Sequence, residues 1–182
     1  MSLEHLWAGW RSHYVTSAGA PPAPAPGTET DDAGDPGDDP GRCVFCRIAA
    51  SGPPAADNGV LWAGECTFAV LNAYPYASGH LMVMPTRHVR TLADLSDPES
   101  TELWSALRHA VTALETAYGP EGINLGANLG RAAGAGIPRH LHLHAVPRWV
   151  GDTNFMTTVA GARVLPEALT VTWERLTTAW PD

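Results

Sequence analysis

Lysine is absent from this 182-residue chain; all eleven basic residues are arginines. That excludes chemistry built on a lysine amine, whether as Schiff base or as general base. Long apolar runs are missing too. No stretch approaches the roughly 18 residues needed to cross a bilayer, and the first residues lack the charged-then-apolar pattern of a secretory signal. The expectation is a cytoplasmic protein with no membrane partner. Cysteine is scarce, with three residues in all, which is a poor basis for a disulfide framework. Positive charge is also short, since the formal net charge is −8. Long nucleic acid is bound through basic patches that displace counterions, so it is excluded as a partner.

What is present fits a soluble globular protein: 45% of residues are hydrophobic and 16% are charged. The length suits one well-buried domain with appendages. Glu29, Asp31, Asp32, Asp35, Asp38 and Asp39 concentrate six negative charges in one run, and without them the net charge is −2. The expected folded part is therefore close to neutral.

Three regions follow from the pattern. In residues 1–16, Leu3, Leu6, Trp7, Trp10 and Tyr14 recur at three- and four-residue spacings, which predicts a short amphipathic helix with an aromatic stripe that packs on something. Residues 17–41 are rich in Ala, Pro, Gly and Asp and nearly free of large apolar side chains, so they read as a disordered linker. Residues 42–182 carry the expected domain. Within it, Val60 to Ala63, Thr67 to Leu71 and Gly79 to Met84 predict an antiparallel meander, with a turn from Asn72 to Ser78. A helix capped at Ser96 or Asp97 presents Leu103, Leu107, Val111, Leu114 and Tyr118 on one face and stops at Gly119-Pro120. Further strands are predicted over Ile123 to Leu129 and His140 to Val146, closed by Pro147, with a final helix starting at Pro166. Strands followed by helices without regular alternation indicate an α+β fold with a mostly antiparallel sheet.

His140, His142 and His144 alternate with Leu141, Leu143 and Ala145. The two-residue period of a strand places all three imidazoles on one face. Three uses of such a face are open: an ordinary solvated surface, a metal cluster made of all three rings, or catalysis by imidazole, whose unperturbed pKa lies nearest neutrality. In the last case one ring attacks phosphorus while its neighbours fix its tautomer and supply a proton to the departing oxygen. Cys43 and Cys46 form a C-x-x-C that is ambiguous between a zinc half-site and a redox pair. The Asp/Pro/Gly-rich run before it and Pro53-Pro54 after it do not supply a thioredoxin-like βαβ context.

The run H-L-H-L-H-A-V with Pro147-Arg148 resembles the H-x-H-x-H-x-x signature of the histidine triad superfamily. The resemblance extends to Cys43-Val-Phe-Cys46, Asn72, Gly79-His80-Leu-Met-Val-Met-Pro85, His88 and Asn128-Leu-Gly130, in that family's order and spacing, over roughly residues 43 to 150. It implies a dimeric α+β unit that transfers or hydrolyses nucleotidyl groups through a nucleotidyl-histidine intermediate. His142 is then the nucleophile, with His144 and His80 orienting it and assisting the leaving group, Asn72 on the ribose and Asn128 beside the phosphates. It also implies a structural zinc held by Cys43, Cys46, His88 and His140, and no organic cofactor.

Family members include phosphoramidases, hydrolases and phosphorylases. Where hydrolases and phosphoramidases usually carry Gln or Ser four residues before the triad, this chain has Gly136, which leaves room for inorganic phosphate as acceptor. The segments Leu71-Asn-Ala-Tyr-Pro-Tyr76, Pro147-Arg-Trp149 and Gly151-Asp-Thr-Asn-Phe155 further resemble actinobacterial diadenosine tetraphosphate phosphorylases, although the Gly-rich loop here lacks a hydroxyl-bearing residue. The resemblance thus implies attack by His142 on the α-phosphate of diadenosine tetraphosphate, release of ATP and transfer of the adenylyl group to phosphate to give ADP. A hydrolase or phosphoramidase with the same nucleophile and a non-catalytic nucleotide-binding protein are the alternatives. Arg148 and Trp149 are candidates for phosphate or base contact, or for a subunit interface. Cys66 and Trp180 read as packing residues.

Overall fold

The structure, a computed structural model, describes residues 39–152 and 167–181. Its elements run α1 (Val44–Ala49), β1 (Val60–Ala63), β2 (Thr67–Leu71), β3 (Leu81–Pro85), α2 (Asp97–Tyr118), β4 (Gly122–Gly126), β5 (Leu143–Arg148) and α3 (Leu169–Ala179). The strands form one sheet in the order β1-β2-β3-β5-β4, antiparallel at every pairing. This is the α+β arrangement that the sequence predicts. The N-terminal helix predicted over 1–16, nearly all of the linker predicted over 17–41, and Pro166 lie outside the described residues.

Every residue of β2 and β3 is buried, as happens when both faces of a strand are covered. Ala69, Leu71, Leu81 and Val83 join one core with Leu103, Leu107 and Leu114 of α2 and Leu176 of α3. Phe68, Val70, Met82 and Met84 point the other way and pack with Cys43 and Phe45 at α1. The six-residue α1 is too short to show a helical period and so is not legible in the sequence.

The long helix starts where the pattern places it. The Ser96 hydroxyl accepts from the Glu99 N–H, the Glu99 carboxylate accepts from the Ser96 N–H, and Gly119 ends the helix in the left-handed conformation. Its buried face adds Ala106, Ala110 and Ala113 to the predicted leucines, whereas Val111 and Tyr118 are half-buried. The alanines let the helix axis lie close to the sheet.

Several boundaries differ from the predicted ones. Regular pairing of the triad strand begins at Leu143, because the Leu141 N–H bonds to the Val89 carbonyl in the loop after β3 instead of to β3 itself. Pro147 lies inside β5, beyond the last residue paired with β3, where the strand has a neighbour on one side only and proline is tolerated. β4 ends at Gly126, opposite His144, three residues before the predicted end. Cys66 precedes β2 in the β1–β2 turn and is half-buried. Trp180 does pack, stacked on Trp62 at 6.1 Å between ring centroids.

Gly79 fixes the entry to β3. Its φ is +88°, and a Cβ there would meet Leu114 Cδ2 at 3.0 Å, Tyr118 Cε2 at 3.1 Å and Pro147 Cγ at 3.2 Å. A side chain is excluded both by conformation and by space, directly before His80.

Candidate active site and metal centre

The register Met82↔His144 puts His144 on the α1 side of the sheet, while Leu141, Leu143 and Ala145 lie in the core beneath α2. The alternation predicted for the triad therefore holds, although His140 and His142 precede the regular strand. The three rings divide into two groups with different partners.

His142 is buried, and its Nδ1 lies 2.7 Å from the His140 carbonyl oxygen. A carbonyl only accepts, so Nδ1 carries the proton and Nε2 keeps its lone pair. Burial lowers the pKa of His142, which favours the neutral ring. The His144 ring stands nearly perpendicular to it, 5.1 Å away between centroids.

The proton on His144 can be placed by the same reasoning. The backbone N–H of Tyr76 lies 3.0 Å from His80 Nδ1 and can only donate, so neutral His80 is protonated at Nε2. That nitrogen is 3.0 Å from His144 Nδ1, which accepts, leaving the His144 proton on Nε2. Burial, and secondarily the neighbouring His142, push the pKa of His144 down to about 4. The site thus joins a bare imidazole nitrogen to an adjacent N–H donor backed by a second imidazole. The Asn72 side-chain Oδ1 accepts from the Tyr74 N–H at 2.8 Å, and Asn72 Nδ2 lies 3.3 Å from His80 Nε2. Tyr76 also covers His80, with 4.7 Å between centroids. Gly126 faces His144 across the β4–β5 ladder, with nothing within 4 Å of where its Cβ would be.

His140 belongs to the other group. Its Nδ1 lies 3.5 Å from Cys43 Sγ and 3.6 Å from Cys46 Sγ, and Cys46 Sγ lies 3.3 Å from His88 Nδ1. One ligand atom from each of Cys43, Cys46, His88 and His140 falls within 4.8 Å of all the others. Zinc bonded to sulfur and nitrogen in a tetrahedron separates its ligand atoms by about 3.3–3.8 Å, so the observed spacings fit. The tautomer fits as well: His140 Nε2 donates to the Pro85 carbonyl at 2.8 Å, leaving the Nδ1 lone pair aimed at the thiols. Burial, followed by the neighbouring Cys43, raises the Cys46 pKa to about 11. A bound cation reverses that preference by stabilising the thiolate.

Phe45, the second residue of α1, touches both groups. Its ring lies 5.5 Å from His140 and 5.1 Å from His142. Sequence reasoning missed it, along with the Tyr76 N–H, since neither residue type signals such a role by itself. Asn128 is half-buried and follows β4 where that strand leaves the sheet; Gly136 is exposed, in the loop beyond the Arg131–Ala133 turn. Arg148 is already engaged: Nη2 donates to Asp152 Oδ1 at 2.8 Å and Nη1 to Asn124 Oδ1 at 2.9 Å. Trp149 packs edge-on against Tyr118.

Comparison with known proteins agrees with this geometry. The HIT domain family model matches residues 55–150. The chain is 39% identical over 180 residues to the AP-4-A phosphorylase of Mycobacterium tuberculosis, covering 98% of this chain and 85% of that protein. It is 32% identical over 93 residues to the asymmetrical bis(5'-nucleosyl)-tetraphosphatase of Schizosaccharomyces pombe, covering 51% of this chain and 50% of that one. The fold matches a zinc-bound histidine triad family protein from Mycobacterium smegmatis with TM-score 0.62 and 26% identity, over 78% of this chain and 94% of that chain. With the triad on one sheet face and the family model spanning the strands that carry it, the chain belongs to the HIT domain family.

Proposed function

We propose that the chain is a nucleotidyl-transferring enzyme in which His142 Nε2 attacks the α-phosphorus of diadenosine tetraphosphate. The observation that carries this reading is the bond from His142 Nδ1 to the His140 carbonyl, which leaves Nε2 unprotonated beside the His144 N–H. Attack forms a P–N bond and breaks the bond from the α-phosphorus to the bridging oxygen, so ATP departs. The neutral His144 keeps its proton and hydrogen-bonds through Nε2–H to that oxygen as ATP leaves as an anion, with His80 behind it as the group that fixes the His144 tautomer. Inorganic phosphate then attacks the adenylyl-histidine to give ADP and restores His142.

Identity to an AP-4-A phosphorylase along nearly the whole chain supports phosphate as acceptor. Gly136, which places no side chain in its loop, is consistent with a second anion there. The similarity to a bis(5'-nucleosyl)-tetraphosphatase supports hydrolysis with the same nucleophile as the second reading. Asn72, whose amide nitrogen lies 3.3 Å from His80 Nε2, is assigned to the ribose, and Asn128, two residues beyond Gly126, to the phosphates. Cys43, Cys46, His88 and His140 are assigned to a structural zinc, which when bound holds α1 to the triad segment.

The unit is assigned to residues 42–182, preceded by a helix over 1–16 and a linker over 17–41, and it acts in the cytoplasm as a homodimer. Support for the dimer comes from β4, which among the described residues has no strand on its outer side and exposes Leu125 at 49%. The test of the mechanism is acid-quenched mass spectrometry after mixing with diadenosine tetraphosphate without phosphate. An adenylyl adduct on His142 is expected, and turnover by His142→Ala at the wild-type rate would overturn it.

A further inference from the structure

The two histidines of the candidate metal centre are held in different ways. His140 has the second hydrogen bond that commonly fixes the tautomer and plane of a ligating imidazole, from Nε2 to the Pro85 carbonyl. His88 does not: its Nε2 is buried and finds no hydrogen-bond partner among the described residues. Its ring sits on the loop after β3, outside regular structure. Something other than a hydrogen bond to the ring must aim it at Cys46.

The residues on either side of His88 supply the constraint. After it, the Val89 carbonyl accepts from the Leu141 N–H at 2.7 Å, which ties the loop to the triad segment. Before it, Arg87 makes a two-pronged bond to Glu99, Nε to Oε1 at 2.8 Å and Nη2 to Oε2 at 2.7 Å. Nη2 also donates to the Asp94 carbonyl at 2.7 Å. Glu99 is itself immobilised. Its carboxylate is nearly buried, accepts from the Ser96 N–H and hydroxyl, and stands on the first turn of α2, which the core anchors. A guanidinium–carboxylate fork fixes direction as well as distance.

We propose that Arg87 and Glu99 are positioning residues of the metal centre, aiming His88 Nδ1 at the site by locking the backbone in place of the missing hydrogen bond to its ring. The inference rests on the reading of Cys43, Cys46, His88 and His140 as a zinc site. Arg87 is the better residue to vary. Its side chain is 55% exposed, but its partner carboxylate is nearly buried, so its removal costs some stability of its own, which unfolding in a metal-free background measures separately. Removing Glu99 would also remove the helix cap.

The test compares wild type with Arg87→Ala and Arg87→Lys by zinc content, by the rate of zinc transfer to a colorimetric chelator, and by the absorption of the cobalt(II)-loaded proteins. Stability is read separately by urea unfolding in a Cys43→Ser/Cys46→Ser background, where no metal is held. The expected result is zinc release about tenfold or more faster in Arg87→Ala, with Arg87→Lys between it and wild type. The cobalt d–d bands should weaken as the His88 nitrogen gives way to water, while any loss of metal-free stability is too small to account for the faster release. Release at the wild-type rate with an unaltered cobalt spectrum overturns the inference, as does a loss of metal-free stability large enough to account for the faster release. Wild-type protein that holds no zinc and takes up no cobalt overturns the metal reading itself, and this inference with it.

Discussion

At His142 one ring nitrogen is committed to a backbone carbonyl and the other is left with its lone pair, so truncating the side chain removes the proposed attacking atom. His142→Ala should lower kcat by about 10⁴-fold or more, while nucleotide binding, read by calorimetry, persists. His144 carries a second consequence, for stability. Its pKa is about 4 in the folded chain against 6.5 for the unperturbed ring, through burial first and His142 second. Between those values the unfolded chain binds more protons, so stability is complete above 6.5 and declines as pH falls toward and through 4. Urea midpoints measured from neutrality downward should fall in wild type and fall less in His144→Gln; equal slopes would remove His144 from the account. At this scale the sequence was most informative for the histidines, because a two-residue period dictates a common face. It was silent about Phe45, the Tyr76 N–H and the Arg87–Glu99 fork. Those roles depend on which backbone lies beside which ring, and that is set by long-range pairing.

Among the elements, α1 and the triad segment are the pair whose relation matters most. α1 is only six residues long, and Cys43 and Cys46, facing His88 and His140, tie it to the sheet that holds His142. With zinc at the proposed site, a strong chelator should therefore lower both the thermal midpoint and nucleotidyl transfer, with recovery on adding zinc back; full activity in metal-free protein would separate the two groups of histidines. Gly79 tests the opposite edge of the site. Gly79→Ala forces a side chain into contact with Leu114, Tyr118 and Pro147 at positive φ, and it should cost about 1–3 kcal/mol in urea unfolding. It should also displace His80 and slow transfer. Helix α2 was legible in detail because capping and periodicity are local. The ends of β4 and β5 were not, since a strand stops where its partner stops: opposite His144 for β4, and at the Val89 carbonyl for the first residues of the triad.

For the molecule as a whole, the antiparallel character of the sheet and the face that carries the triad follow from patterns legible in the sequence, whereas the strand order, with the crossover that places β5 between β3 and β4, does not. That crossover brings His80 to His144 and the Pro85 carbonyl to His140, so the site is a property of the topology as much as of the motif. The open outer edge of β4 belongs to the same scale. If a second copy covers it, Leu125→Arg should shift wild-type dimer to monomer in sedimentation velocity; an unchanged distribution would place the interface elsewhere. The central claim is nucleotidyl transfer from diadenosine tetraphosphate to phosphate. Chromatography of the products formed with and without inorganic phosphate tests it most directly. The account predicts ATP and ADP, formed only when phosphate is present; ATP and AMP formed regardless of phosphate would contradict phosphorolysis and assign the same nucleophile to a hydrolase.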